Sequence, residues 1–392
     1  MSWRPSWSHP ITRAVLMWLA ACLFLSLAAR AVVQEGLADV PGLTLPQRLQ
    51  EIFEAFDGDR PGVAVGVSRN GEVLYQSAHG LADLDRQVRI DPDTAFHIAS
   101  VGKQITAVAV LMLVEAGKVR LDEPASKYLK EMRGWAREVT VRDLLQHTAG
   151  IPDTYPALEE RGGTPTGLDA LRLLARWKRL DFEPGSQFQY SDSGYDLLGT
   201  LIERVSHRSY PKFVEERILR PAGMKDSFVF DEARLRRAKR ALGYERGFGQ
   251  WVLKDDSPLN LLYGSGGVYS TVADLARYDQ ALFGNRLIRP ASLAEMLKPN
   301  VLNDGTVVTY GFGWWVGKTE AGETYYGHSG NWLGFTAYYL HFPRDGMAVM
   351  VLGNSSDIDC ESLAFATAAA FRSAGNTRLV HAVPPSRRAR RP

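Results

Sequence analysis

Cysteine is nearly absent: Cys22 and Cys360 are the only two in 392 residues. Two are too few for a disulfide scaffold, and they are badly spaced for a zinc site. Internal repeats, low-complexity linkers and long charge runs are missing between Leu43 and about Phe371, which leaves one folded unit as the economical organisation. A net charge of one sign is missing too. The formal +2 hides three arginines without an acid in residues 1–31 and five more in residues 373–392; removing these eight charges leaves −6 for the part between. A mildly acidic body with basic ends offers no electrostatic footprint for nucleic acid. With 45% hydrophobic and 23% charged residues, the chain is large enough and apolar enough to bury a core, which excludes disorder, collagen and a multi-span membrane protein.

The one long apolar run, residues 14–29, follows Arg4 and Arg13 and precedes Ala29-Arg30-Ala31. This is the layout of a secretory signal peptide over residues 1–31. An uncleaved membrane anchor is the alternative, although the run is short of the ~20 residues that a spanning helix needs. Lipidation at Cys22, in Leu19-Ala20-Ala21-Cys22, is a second alternative. Each places the body outside the cytoplasm, periplasmic or extracellular. Cys360 is then expected as a lone buried thiol, and the proline- and arginine-rich tail 373–392 as disordered.

Within the body, residues 43–372, Leu45–Phe56 has helical spacing, and Val63–Ser68 and Val73–Ala78 alternate around Asn70-Gly71, a hairpin signal. Helical patterns fill the middle, with capping signatures at Thr140-x-x-Asp143 and Thr271-x-x-Asp274 and apolar periodicity over Tyr195–Val205 and Leu275–Phe283. Strands are expected again at Gly311–Gly317, Thr324–Tyr326, Phe335–Phe342 and Met347–Leu352, before a closing helix Cys360–Phe371. Strands at both ends with helices between predict an α/β fold of the α+β type. One antiparallel sheet is built from the N- and C-terminal segments, flanked by helices and a mostly helical lobe at about 125–297.

Ser100-Val101-Gly102-Lys103 is an S-x-x-K sequence whose two reactive side chains share a face if it opens a helix. The helix is supported by Ile105–Val114, apolar nearly all round, with Gly117 to end it. Ser100 at its positive end is a candidate nucleophile. Lys103 is expected to lose affinity for its proton on burial, falling from the ordinary ~10.4, and so to become the base. A second S-x-x-K, Ser209–Lys212, starts an amphipathic helix with Pro211 and is read as structural. Tyr190 is the only tyrosine with Asn or Asp two residues on, in Tyr190-Ser191-Asp192. Gly327-His328-Ser329-Gly330-Asn331 nearly makes a G-x-S-x-G elbow, but ends in asparagine and lacks the strand-turn-helix setting.

The ordered set S-x-x-K, Y-x-(N/D), H-x-G resembles the serine β-lactamase and penicillin-binding-protein superfamily. Within it, the likeness is to the branch of class C β-lactamases, DD-peptidases, D-aminopeptidases and esterases, over about residues 60–355. The resemblance implies acyl transfer with Ser100 as nucleophile, Lys103 as its proton acceptor and Tyr190 as proton shuttle. It also implies an oxyanion hole of the Ser100 and Asn331 backbone N–H groups, and no metal or organic cofactor. Asp192, His328, Ser329, Gly330 and Trp332 are the expected substrate contacts.

Two departures bear on substrate. His328 stands where dedicated β-lactamases have a lysine that holds a substrate carboxylate, and histidine is mostly neutral above pH ~6.5. Asp192 stands where asparagine is commoner, and a carboxylate cannot donate to a substrate carbonyl and favours a protonated Lys103 if they touch. The expected function is therefore an exported serine acyl-hydrolase of D-amino-acid peptides or esters, with weak action on β-lactams. The alternatives are a non-turnover penicillin-binding or sensor protein and a structural factor of the cell envelope. The expected partner is a small-molecule or peptide substrate, possible in cell-wall material, with membrane association through the N-terminus and an oligomeric state left open. His97 and His147 are read as structural, and Arg161–Gly167 and Gly247–Pro258 as long loops on the rim of the cleft.

Overall fold

The computed structural model describes residues 43–177 and 179–374. The expected signal segment 1–31, with Cys22, and nearly all of the basic tail lie outside the described residues. Helix α1 (Leu45–Phe53) opens the body, its first turn closed by Gln47, whose side chain accepts from the Thr44 N–H at 2.9 Å. Strands β1 (Val63–Arg69) and β2 (Glu72–His79) form the expected hairpin, with Asn70 and Gly71 both at positive φ (49° and 81°), as a tight two-residue turn requires. Helix α2 (Lys103–Glu115) runs through the centre of the molecule and is buried on nearly every side, which is why its sequence shows no polar face. Helix α3 (Asp192–Ser206) is capped by the Ser191 hydroxyl, and α4 (Val272–Phe283) by Thr271, which accepts from the Asp274 N–H at 3.1 Å.

Four late strands complete the sheet: β3 (Trp315–Lys318), β4 (Thr324–Trp332), β5 (Phe335–Phe342) and β6 (Met347–Gly353). Their order is β3-β4-β5-β6-β1-β2, antiparallel throughout, so the first and last strands of the chain are neighbours, with Val63 opposite Gly353 and Arg69 opposite Met347. The period-two pattern of β1 explains the layers. Val63, Val65 and Val67 face α1 and the closing helix α5 (Cys360–Ser373), where Leu49, Phe53, Ala364 and Phe371 complete a core. Ala64, on the opposite face, joins the larger core with α2, α3 and α4. The expected architecture therefore holds, an antiparallel sheet with helices on both faces and a helical lobe on one.

Three boundaries differ from the sequence reading. Gly311–Trp314 is a tight turn rather than strand, with Phe312 and Trp314 driven into the core. The strand expected at Thr324–Tyr326 continues to Trp332, because β5 supplies it with a full ladder from His341 to Phe335. Gly247–Pro258 is largely not a loop: Tyr244–Gly247 and Gln250–Leu253 pair as a hairpin turned at Phe248 and Gly249, both at positive φ.

Candidate active site

The chain reaches Ser100 through a single turn, Ala99–Gly102, that feeds directly into α2. Ala99 is held at φ 47°, a left-handed conformation that costs a non-glycine residue energy and marks this turn as over-determined by its surroundings. What determines it is β4. Gly330 lies so close to the turn that a Cβ there would sit 2.2 Å from the Ile98 carbonyl oxygen. The strand carrying the third motif is thereby laid against the turn that bears Ser100.

Lys103 is fully buried, and its ammonium donates to three acceptors: Ser100 Oγ at 2.9 Å, Asp192 Oδ1 at 2.5 Å and the Ser265 carbonyl at 2.8 Å. Burial alone would lower its proton affinity, but the Asp192 carboxylate and Tyr190 overcome that and hold it well above the ordinary lysine value. The expectation that burial frees Lys103 as a resting base is therefore corrected. The contact with Asp192, 89 residues away, reverses the sign, and the resting lysine is a saturated ammonium.

Tyr190 precedes α3 with its ring 4.9 Å from Lys103 Nζ. The residue is 37% exposed. Burial raises its pKa and the Lys103 charge pulls it part of the way back, so the phenol is neutral at rest. His147, at the left-handed end of helix Val141–Gln146, stacks at 4.3 Å behind Tyr190, and its Nδ1 accepts from the Ser191 N–H at 3.1 Å. It is structural, as expected, but its Nε2 is buried without a hydrogen-bond partner among the described residues, so it is not the fully satisfied histidine that the sequence suggests. His97 is likewise buried, with Nδ1 accepting from the Ala99 N–H at 3.1 Å.

A cleft opens over Ser100 and is lined by Asp192, Asn331 and Trp332 together with Tyr155, Leu259 and Ser265 among others. Trp332 is fixed by its indole N–H, which donates to Asn260 Oδ1 at 3.3 Å, and by an edge contact with Tyr155. Three expected substrate contacts are corrected. His328 is 1% exposed and points under the strand, with Nε2 3.0 Å from the Tyr310 hydroxyl and Nδ1 2.6 Å from the Ser329 carbonyl. Burial and the neighbouring Lys103 push its pKa down to about 3, so it is a neutral brace. Gly330 is buried against the nucleophile turn and positions rather than binds. Ser329 is half-buried on β4 and is not among the cleft-lining residues. Ser209 heads the short helix Tyr210–Val214, apart from this cleft.

The sequence reading missed Ser265, Tyr155, Tyr310 and Asp196. Only Asp196 had a signal, since it follows Asp192 by one helical turn. Ser265 acts through its backbone, which no motif of side chains reveals.

Comparison with known proteins gives the family and the fold. The family description "Beta-lactamase" matches residues 30–369. Penicillin-binding protein 4* of Bacillus subtilis (strain 168) is 27% identical over 334 residues, which span 79% of this chain and 72% of that protein. An octameric penicillin-binding protein homologue from Pyrococcus abyssi superposes with a TM-score of 0.73 at 28% identity, covering 85% of this chain and 77% of the other. A D-amino acid amidase from Ochrobactrum anthropi SV3, complexed with L-phenylalanine amide, gives 0.70 at 25% identity over 84% and 99%.

Proposed function

The chain belongs to the beta-lactamase family, and from that premise we propose that it is a serine acyl-hydrolase using Ser100, Lys103 and Tyr190 on amide or ester substrates. The observation that carries the reading is the 2.9 Å contact between Lys103 Nζ and Ser100 Oγ at the head of α2, beneath an open cleft. Once Lys103 has shed its proton, Ser100 Oγ attacks the substrate carbonyl and its own proton passes to Nζ. Tyr190 relays a proton to the leaving amine or alcohol, and water then releases the acyl group. The positive end of α2 and the backbone N–H groups of Ser100 and Asn331 stabilise the oxyanion.

The cleft lining also bears on substrate. It contains no lysine or arginine among the described residues, while Asp192 contributes a carboxylate. His328, the position from which a cation would hold a substrate carboxylate, is buried and neutral. An acyl donor with a free carboxylate beside the scissile bond finds no countercharge here, which disfavours penicillins. The substrate class that fits is a D-amino-acid amide, a D-peptide presented by its amino end, or an ester. Residues 1–31 support export to the periplasm or cell exterior.

Labelling with a fluorophosphonate and intact-mass analysis tests the reading: one adduct in the parent protein and none in Ser100→Ala is expected, and labelling that persists in the variant overturns it. A panel of D-amino-acid amides, D-Ala-D-Ala peptides, short esters and a chromogenic cephalosporin ranks the acyl donors. A second reading, a protein that acylates without turnover, draws on the saturation of Lys103 by three acceptors. It predicts a burst of one equivalent of product and no steady state.

A further inference from the structure

Asp196 is a carboxyl group in the middle of the molecule with half of its hydrogen-bonding unmet. It is 1% exposed. Its Oδ1 accepts from the Ser265 N–H at 3.1 Å, and its Oδ2 is buried without a hydrogen-bond partner among the described residues. Such a group is costly, and a native structure keeps few of them without a use.

Ser265 links it to the chemistry. The carbonyl of that residue accepts from Lys103 Nζ at 2.8 Å, so one residue is clamped between the carboxyl behind it and the ammonium in front. The Ser265 hydroxyl lies 2.7 Å from the Tyr155 hydroxyl on the cleft wall. The clamp has no slack: at Gly264 a Cβ would sit 2.0 Å from the Tyr195 carbonyl oxygen, so the loop is pressed against α3. Asp192, one turn earlier on the same helix, holds the ammonium from the other side.

We propose that Asp196 is a positioning residue that sets how firmly Lys103 holds its proton, acting through the placement of Ser265 and through its own charge. The inference rests on the reading of Ser100 and Lys103 as the acylating pair. An ionised Asp196 holds the Ser265 N–H more tightly, keeps that residue's carbonyl in place against Lys103 and adds a second carboxylate near one ammonium. A neutral Asp196 leaves Asp192 alone to retain the proton. The groups that face it are Asp192 on its own helix, Lys103 on α2, Tyr155 on helix Tyr155–Arg161 and Tyr210 on helix Tyr210–Val214. Burial and Asp192 raise its pKa while Ser265 and Lys103 lower it, and the balance lies at about 7. The carboxyl thus changes charge near neutral pH. Because Lys103 must lose its proton before it can take that of Ser100, ionisation of Asp196 restrains acylation above neutrality.

The test is the ratio of kcat/KM for 4-nitrophenyl acetate between Asp196→Asn and the parent, from about pH 5.5 to about pH 9. Asparagine keeps the acceptor for Ser265 and cannot ionise. The expected ratio is flat at acid pH, whatever its absolute value, and climbs about fivefold as the parent's Asp196 ionises. A ratio that stays flat or falls with pH overturns the proposal, since a purely structural role moves all pH values together. Carbon-13 NMR of aspartate carboxyls in the unmutated protein reads the same group if the variant does not fold. One aspartate titrating near neutrality supports the proposal, and none titrating above about pH 5.5 overturns it. Fluorophosphonate labelling of the parent separates the failures: an unlabelled Ser100 sinks the catalytic reading, whereas a labelled Ser100 with a flat ratio sinks only the role of Asp196.

Discussion

Asp192 Oδ1 lies 2.5 Å from Lys103 Nζ, and this one pair fixes the charge state in which the site waits. The ammonium is buried while the carboxylate is 37% exposed to the cleft, so whatever enters the cleft meets the acid and not the base. A bound cationic or hydrogen-bonding substrate competes with Lys103 for that carboxylate, and loosening the pair frees the lysine to lose its proton.

Asp192→Asn removes the charge that holds the lysine proton. The pH dependence of kcat/KM for a small neutral ester is expected to move toward acid, with a several-fold gain at neutral pH. A loss of rate with an unmoved profile would show that Asp192 serves substrate binding alone.

His97 and His328 are both buried, and their pKa values are pushed down to about 3, in each case chiefly by burial, with Arg240 assisting at His97 and Lys103 at His328. The unfolded chain takes up these protons below the ordinary histidine value of ~6.5, and the folded chain does not. Their stabilising contribution is therefore present above about pH 6.5 and is lost as the pH falls toward 3, by roughly 2–4 kcal/mol for each. Urea denaturation at intervals across that range reads the slope, and His328→Gln, which can still pair with Tyr310, is expected to flatten it.

Gly330→Ala drives a methyl group into the Ile98 carbonyl, 2.2 Å away, where backbone rather than a flexible side chain would have to yield. We expect about 2–3 kcal/mol of destabilisation and a loss of ester hydrolysis larger than the stability change explains, because β4 can no longer rest on the turn bearing Ser100. Thermal melts and single-turnover acylation distinguish the two effects.

Trp332 closes one wall of the cleft and is held by Asn260 and Tyr155. Trp332→Ala is expected to reduce kcat/KM about tenfold for a D-phenylalanine amide while sparing the D-alanine amide. Equal losses on both substrates would place the tryptophan in the scaffold instead of the specificity wall.

Cys360 is buried at the start of α5 beside the Thr336 hydroxyl, 3.3 Å from its sulfur, and burial pushes the thiol up to about 12. Iodoacetamide at neutral pH is expected to leave Cys360 unmodified in the native protein and to alkylate it after denaturation, as read by peptide mass. Modification of the folded protein would show that α5 opens locally.

The parts of this molecule legible in the sequence are those written in local chemistry. Asn70-Gly71 announces the hairpin, Thr140-x-x-Asp143 caps a helix with both of its bonds, and Ser100 and Lys103 share a face because α2 is helical. What escaped depends on chain segments far apart. The charge on Lys103 is decided by Asp192, the role of His328 by Tyr310, and the link from Asp196 to the site by the backbone of Ser265. The short reading of β4 has a related cause: Gly327, Ser329 and Gly330 depress strand propensity, and only pairing with β5 carries the strand through them. In the stretch Gly247–Pro258, Gly247 and Gly249 on either side of Phe248 signal a loop, whereas Gln250–Leu253 pairs with Tyr244–Gly247 as a hairpin.

The pairing of Val63–Arg69 with Met347–Gly353 has a consequence in time. During synthesis, β1 waits for a neighbour about 280 residues away, which at ~5–20 residues per second is on the order of 15–60 s. Throughout that interval its valines have only the β2 hairpin to cover them, and a two-stranded hairpin is not stable by itself. The turn that carries Ser100 rests on β4, which is also made late, so the nucleophile cannot be assembled early in synthesis and then wait for the remainder. The central sheet and the turn that bears Ser100 are therefore completed together, when the last strand is available.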